Sequence, residues 1–87
     1  RLHVSPGIFA GWALVGKERY MAAVFIPKSL DRAEAHLLDY PGFSLYGKHI
    51  EVEVLQKVSE IERYDTTEEL IAKITNDIEL VREVLKK

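Results

Sequence analysis

The feature that most constrains the fold is the run from Thr66 to Leu85, in which Leu70, Ile71, Ile74, Ile78, Val81 and Leu85 recur at spacings of three and four residues. That period gathers them into a stripe along an α-helix, and an apolar stripe on a long helix must lie against another element. The start of the helix is written locally. Thr66 with Glu69 three residues later forms a capping box, and Glu68 suits the positive end of the helix dipole. Arg82, Lys86 and Lys87 suit the negative end. The pattern predicts a helix from Thr67 to Leu85 whose whole stripe faces a sheet.

Upstream the period changes to strands. Ser5-Pro6-Gly7 is a turn signal, and the β-prone run through Ile8, Phe9, Trp12, Leu14 and Val15 follows it. Gly11 interrupts that run, as glycine does where a strand bulges or another backbone comes close. Gly16-Lys17-Glu18 reads as a tight hairpin into a strand from Arg19 to Ile26, ended by Pro27. Lys28-Ser29-Leu30-Asp31 then connects to a strand from Arg32 to Leu38, which sets Glu34, His36 and Leu38 on one side. From Ile50 to Val58 the alternation is clearest, with Ile50, Val52 and Val54 inward and Glu51, Glu53 and Leu55 outward. Strands followed by one closing helix make an α+β domain, mainly β.

Composition narrows the function. A chain of 87 residues makes one domain, 1–87, and the absence of cysteine removes disulfides and thiolate metal sites. A net charge of −2 gives no basic face for nucleic acid. The longest uncharged run, Val4 to Gly16, holds three glycines and a proline and falls short of the roughly 18 apolar residues a membrane span needs. It also lacks the basic start of a signal peptide. No initiator Met begins the chain, which suggests a piece of a longer one.

The stretch that speaks about function is Glu34 to Lys48. It joins a strand carrying a carboxylate and an imidazole on one face to a Gly- and Pro-containing turn and a further strand. By spacing alone, Glu34 is either a strand-surface carboxylate or a base at the rim of a sheet. His36 is either a neighbour of that site or a hydrogen-bonded structural histidine. Tyr46 and Gly47 are either an ordinary turn or a place where an aromatic ring and open backbone meet a ligand. Phe9, Trp12 and Phe25 read as core, and Lys28 as a solvated loop cation.

The motifs themselves resemble riboflavin kinase, the flavokinase domain found alone or behind a nucleotidyltransferase domain in bifunctional enzymes. Ser5-Pro6-Gly7-Ile8-Phe9-Ala10-Gly11-Trp12 is similar to that family's P-x-G-V-Y-A-G-W. Glu34-Ala35-His36-Leu37-Leu38-Asp39-Tyr40 is similar to E-x-H-L-L-D-F, and Leu45-Tyr46-Gly47-Lys48 to L-Y-G-K. Tyr64-Asp65-Thr66-Thr67-Glu68-Glu69-Leu70 is similar to F-D-S-x-E-E-L.

The resemblance implies a small antiparallel Greek-key β-barrel with one long C-terminal helix packed across it. It implies a cytoplasmic enzyme that transfers the γ-phosphate of ATP to the ribityl hydroxyl of riboflavin, giving FMN and ADP. Glu34 inherits the role of base, and Tyr46, Gly47 and His36 fall near the nucleotide. Mg²⁺ would accompany ATP, held by a G-F-P-T-A-N motif that has no counterpart in this sequence. On that ground the barrel is expected to lack its first strands, and the 87 residues by themselves to be inactive. The family's L-R-P-E run near the flavin appears here as Val58-Ser59-Glu60-Ile61. A second reading, from a different class, is a catalytically dead barrel that binds a partner or dimerises through an exposed sheet edge.

Overall fold

The computed structural model describes residues 5–30, 32–41 and 50–86. The chain forms strands β1 (Gly7–Val15), β2 (Glu18–Ile26), β3 (Glu34–Leu37) and β4 (Ile50–Ser59), then the helix α1 (Thr67–Leu85). The helix has the predicted bounds. Thr66 has extended backbone and its Oγ1 accepts from the Glu69 N–H at 3.1 Å. The Glu69 carboxylate answers by accepting from the Asp65 N–H at 3.3 Å, one residue further back than in the usual reciprocal box.

All strand pairs are antiparallel, in the order β3-β2-β1-β4. Three hairpin-ordered strands with the fourth returning beside the first is the Greek-key arrangement. The expected closed barrel is only partly present: the four described strands form an open sheet with β3 and β4 at its edges. The β1–β2 hairpin turns through Gly16 and Lys17, where Gly16 takes φ +62°, a conformation that two-residue hairpin loops assign to glycine.

Gly11 explains how β4 sits. A side chain there would run into the carbonyl oxygen of Glu53, so only glycine lets the two backbones lie this close. The β1–β4 register shifts between Ala10 and Gly11 and again between Ile8 and Phe9. Each shift leaves one β4 residue, Leu55 and then Val58, without an opposite number.

The shifts come after Val54, so Ile50, Val52 and Val54 keep the predicted common face, opposite Val15, Ala13 and Gly11; what departs from expectation is how little of that face is covered. Val52 and Val54 are exposed instead of buried, and only Ile50 of that set packs against buried residues, while Leu55 is 52% exposed, outward as expected. Among the described strands β4 is an edge, with one neighbour in the sheet to help cover its side chains.

Two apolar clusters hold the sheet. On the helix side Ala10 and Leu38 are buried against Val81 and Leu85, with Trp12, Met21, Val58, Ile78 and Val84 packed around them. A second cluster buries Ala13, Ala22, Val24 and Ile26, with Phe9, Leu37 and Ile50 around them. Phe9 and Trp12 therefore join the core as expected, Trp12 with the Arg19 guanidinium stacked 4.1 Å from its ring centre. Phe25 does not, being 37% exposed. The helix stripe divides likewise. Its second half is buried, but Leu70, Ile71 and Ile74 stand exposed.

Candidate functional site

Where the first half of α1 stands away from the sheet, a cleft of about 420 Å³ opens between them. Its walls are Ile8, Ala23, Phe25, His36, Ile74, Asp77 and Ile78. A smaller lobe of about 180 Å³ shares Ile8, Phe25, Ile74 and Asp77 and adds Glu60, Ile61, Glu62, Leu70 and Lys73. The size and the mostly apolar walls with a few polar groups are those of small-molecule sites.

Pairing of β2 with β3 brings His36 to this cleft and sets Glu34 on the same face of the sheet. Glu34 lies opposite Phe25 and His36 opposite Ala23, and opposed residues share a face. Both are therefore on the helix-facing side, as is Leu38 in the core, and His36 lines the cleft directly. Glu34 and His36 are exposed. His36 stands in the cleft wall and has no hydrogen-bond partner among the described residues. Tyr46 and Gly47 lie outside the described residues.

The rest of the same motif has a structural task. Asp39, with φ +61°, follows the strand and turns its carboxylate to Arg82 on α1. Arg82 donates from Nη1 to Oδ2 at 2.8 Å and from Nη2 to Oδ1 at 3.1 Å, a two-pronged clamp. These hydrogen bonds and the guanidinium charge hold the Asp39 carboxyl below its ordinary value. Beside it Tyr40 meets Tyr20 edge to face, with ring centres 5.0 Å apart.

Sequence reasoning missed the polar pair in the cleft wall. Asp77 is 6% exposed and lies on the sheet-facing side of the helix, three residues after Ile74 and four before Val81. Lys73 Nζ donates to Asp77 Oδ2 at 2.6 Å and to Ser59 Oγ at 2.8 Å, tying the helix to the end of β4. No donor among the described residues reaches Asp77 Oδ1, which is buried. Leaving such an oxygen unsatisfied costs about 1–3 kcal/mol. The signal was present in the sequence as an acidic residue at stripe spacing. Nearby, Tyr64 donates its hydroxyl to the Glu62 carboxylate, and this bond with burial pushes the phenol up to about 12.

The sequence matches the riboflavin kinase (Flavokinase) family over residues 1–85. The chain belongs to the riboflavin kinase family. The match spans nearly all of the 87 residues, and it agrees with the motifs around Glu34 and Thr66. No curated protein matches the chain. Among solved structures, the fold is similar to the crystal structure of a macrolide-efflux protein from Streptococcus pneumoniae, with a TM-score of 0.82 at 19% identity. That likeness covers 93% of this chain and 28% of the other, so the chain spans little more than a quarter of that protein's length. At such identity it speaks for the fold alone.

Membership in the riboflavin kinase family implies Mg²⁺ with ATP. Among the described residues no three His, Asp or Glu side chains gather in a group that could hold a metal ion. No described helix is long and apolar enough to cross a membrane.

Proposed function

We propose that this chain seats riboflavin and supplies the base for its phosphorylation to FMN. The observation that carries the reading is the position of Glu34 and His36 on one short strand beside an apolar cleft, in a riboflavin kinase family chain. Further support comes from the family's flavin-proximal run. Its counterpart ends in Glu60 and Ile61, both of which line the smaller lobe of the same cleft.

In this reading the fused ring lies between Phe25, Ile8 and Ile74, where burial of flat apolar area drives binding. The ribityl chain runs toward β3. Glu34 accepts the proton of the terminal hydroxyl as its oxygen attacks the γ-phosphorus; the bond from that phosphorus to the bridging oxygen breaks, and ADP leaves. His36 stands between ring and base and orients the sugar chain. The proposal assigns this chain the flavin seat and the base, and leaves the nucleotide phosphates to groups other than the described residues. ATP as phosphoryl donor fits a cytoplasmic setting.

The test is riboflavin fluorescence titrated with the protein, with and without Mg-ATP, followed by chromatography of the flavins. Quenching is expected both with wild type and with Glu34→Gln. In the protein as the cell makes it, the variant should form FMN about 10²–10⁴ times more slowly. Wild type that quenches nothing, or a variant that phosphorylates at the wild-type rate, would sink the reading.

One observation favours a second reading. Strand β4 is a ten-residue edge of the described sheet and exposes Val52, Val54 and Leu55, as an assembly module would. Sedimentation across a range of concentrations decides it: a mass that rises with concentration and ignores riboflavin supports assembly through the edge.

A further inference from the structure

The Lys73–Asp77 pair is badly placed for a purely structural role. An ion pair on a helix is better with the acid N-terminal to the base, and this one runs the other way. It is also largely desolvated, with 14% of the Lys73 and 8% of the Asp77 side chain exposed, where attraction must first offset the loss of water. An apolar residue at position 77 would extend the buried stripe to Val81. Instead the helix keeps a carboxylate with one oxygen bound to Lys73 and the other without a donor among the described residues.

Both residues stand in the wall of the cleft, Asp77 in both lobes and Lys73 in the smaller one. The ammonium of Lys73 has three hydrogens, of which two are engaged by Ser59 and Asp77. The wall thus offers an acceptor, Asp77 Oδ1, next to a donor, the third Lys73 N–H.

Resting on the flavin seat proposed above, we infer that the Lys73–Asp77 pair reads the imide edge of the isoalloxazine ring. That edge carries an N–H flanked by two carbonyls. The N–H donates to Asp77 Oδ1 while one carbonyl accepts from Lys73 Nζ. The apolar walls of Ile8, Phe25 and Ile74 hold the ring faces and supply no such discrimination. The pair is a specificity device. It selects rings with a donor beside an acceptor and leaves the phosphorylated end to other residues.

The experiment compares riboflavin with riboflavin methylated on the imide nitrogen, by fluorescence quenching, in wild type, Asp77→Asn and Lys73→Met. Wild type is expected to bind riboflavin at least about tenfold more tightly, since the methyl group leaves the carboxylate without its donor. In Asp77→Asn the amide oxygen stays with Lys73 and turns an N–H₂ toward the ligand. The ratio should then fall to about twofold or less, with Lys73→Met weakening both flavins alike. Melting temperatures establish that the variants fold, and a ratio of affinities does not move through a merely structural effect. Riboflavin that binds with no discrimination in wild type, or undiminished discrimination in Asp77→Asn, overturns the inference and leaves the flavin seat standing. Adenosine also presents an amino group beside a ring nitrogen. Its displacement of riboflavin at comparable concentration would overturn the assignment to the flavin. Failure of wild type to quench riboflavin at all refutes the seat itself, and the inference with it.

Discussion

Within α1 one stripe meets the sheet in two ways. From Ile78 onward it is packed: Val81 is fully buried and Leu85 nearly so, against Ala10 and Leu38. From Leu70 to Ile74 the same kind of side chains stand open, Ile71 at 57% exposure, beside a cleft whose wall includes a buried carboxylate. Propensity and periodicity do not distinguish the halves. Their difference lies in what they face, and it teaches that the second half fastens the helix while the first half is held off the sheet to leave room. Low contact on one side of a rigid element is how a fold gives up local stability for a site.

The sharpest way to break this comparison is to truncate one residue in each half. Leu85→Ala removes a buried side chain from the helix-side cluster and is expected to cost about 2–5 kcal/mol in urea unfolding. A loss below 1 kcal/mol would show that the second half is not the fastening. The next largest effect has the opposite sign. Replacing Lys73 and Asp77 together by Met and Leu removes a desolvated pair at a stripe position, and such swaps are neutral or stabilising by about 1–4 kcal/mol. Riboflavin quenching should weaken in the same protein. Loss of both stability and binding would mean that the pair holds the helix in place.

Smaller still is the effect of Ile71→Ala. Exposed positions away from special features stay within about 0.5 kcal/mol, so its unfolding midpoint should barely move. A cost like that of Leu85→Ala would show that this part of the first half is covered in solution.

How much of this was legible depends on what each residue answers to. The helix bounds and the Thr66 cap follow from neighbours three and four residues away, and both are as the sequence predicts. Hairpin β1–β2 and the special place of Gly11 were readable for the same reason, since turn chemistry and a missing Cβ act locally. The alternation of Ile50, Val52 and Val54 was readable too, but their burial was not, because it depends on what lies over that face of the sheet and not on period. Phe25 looked like core for its hydrophobicity alone, yet it is 37% exposed and lines the cleft, opposite Glu34 on the neighbouring strand. Strand alternation puts Glu34 and His36 on one face, and the β2–β3 pairing agrees. Asp77 was passed over, although an acid at stripe spacing was there to be noticed. Tyr46 and Gly47 fall outside the described residues.

The smallest effect tests how the fastened half is finished at the surface. Arg82 clamps Asp39 just after β3, and its hydrogen bonds hold the carboxyl below the ordinary value of 3.8. A carboxyl whose pKa is lower folded than unfolded adds stability that is present above the unfolded value and disappears as pH falls through the folded one. The clamp should therefore contribute at neutral pH and fade in acid, from just above pH 3.8 downward. Because the pair is exposed, its contribution is small and weakened by salt. Arg82→Met is expected to lower the melting temperature slightly at pH 7. The gap from wild type should close as the solution is acidified below the carboxylate range. A gap that stays constant with pH would assign the effect to the apolar stem of Arg82 against the helix surface rather than to the charge pair. In that case the second half of α1 would be fastened by packing alone, and the contrast with the open half would be one of apolar contact only.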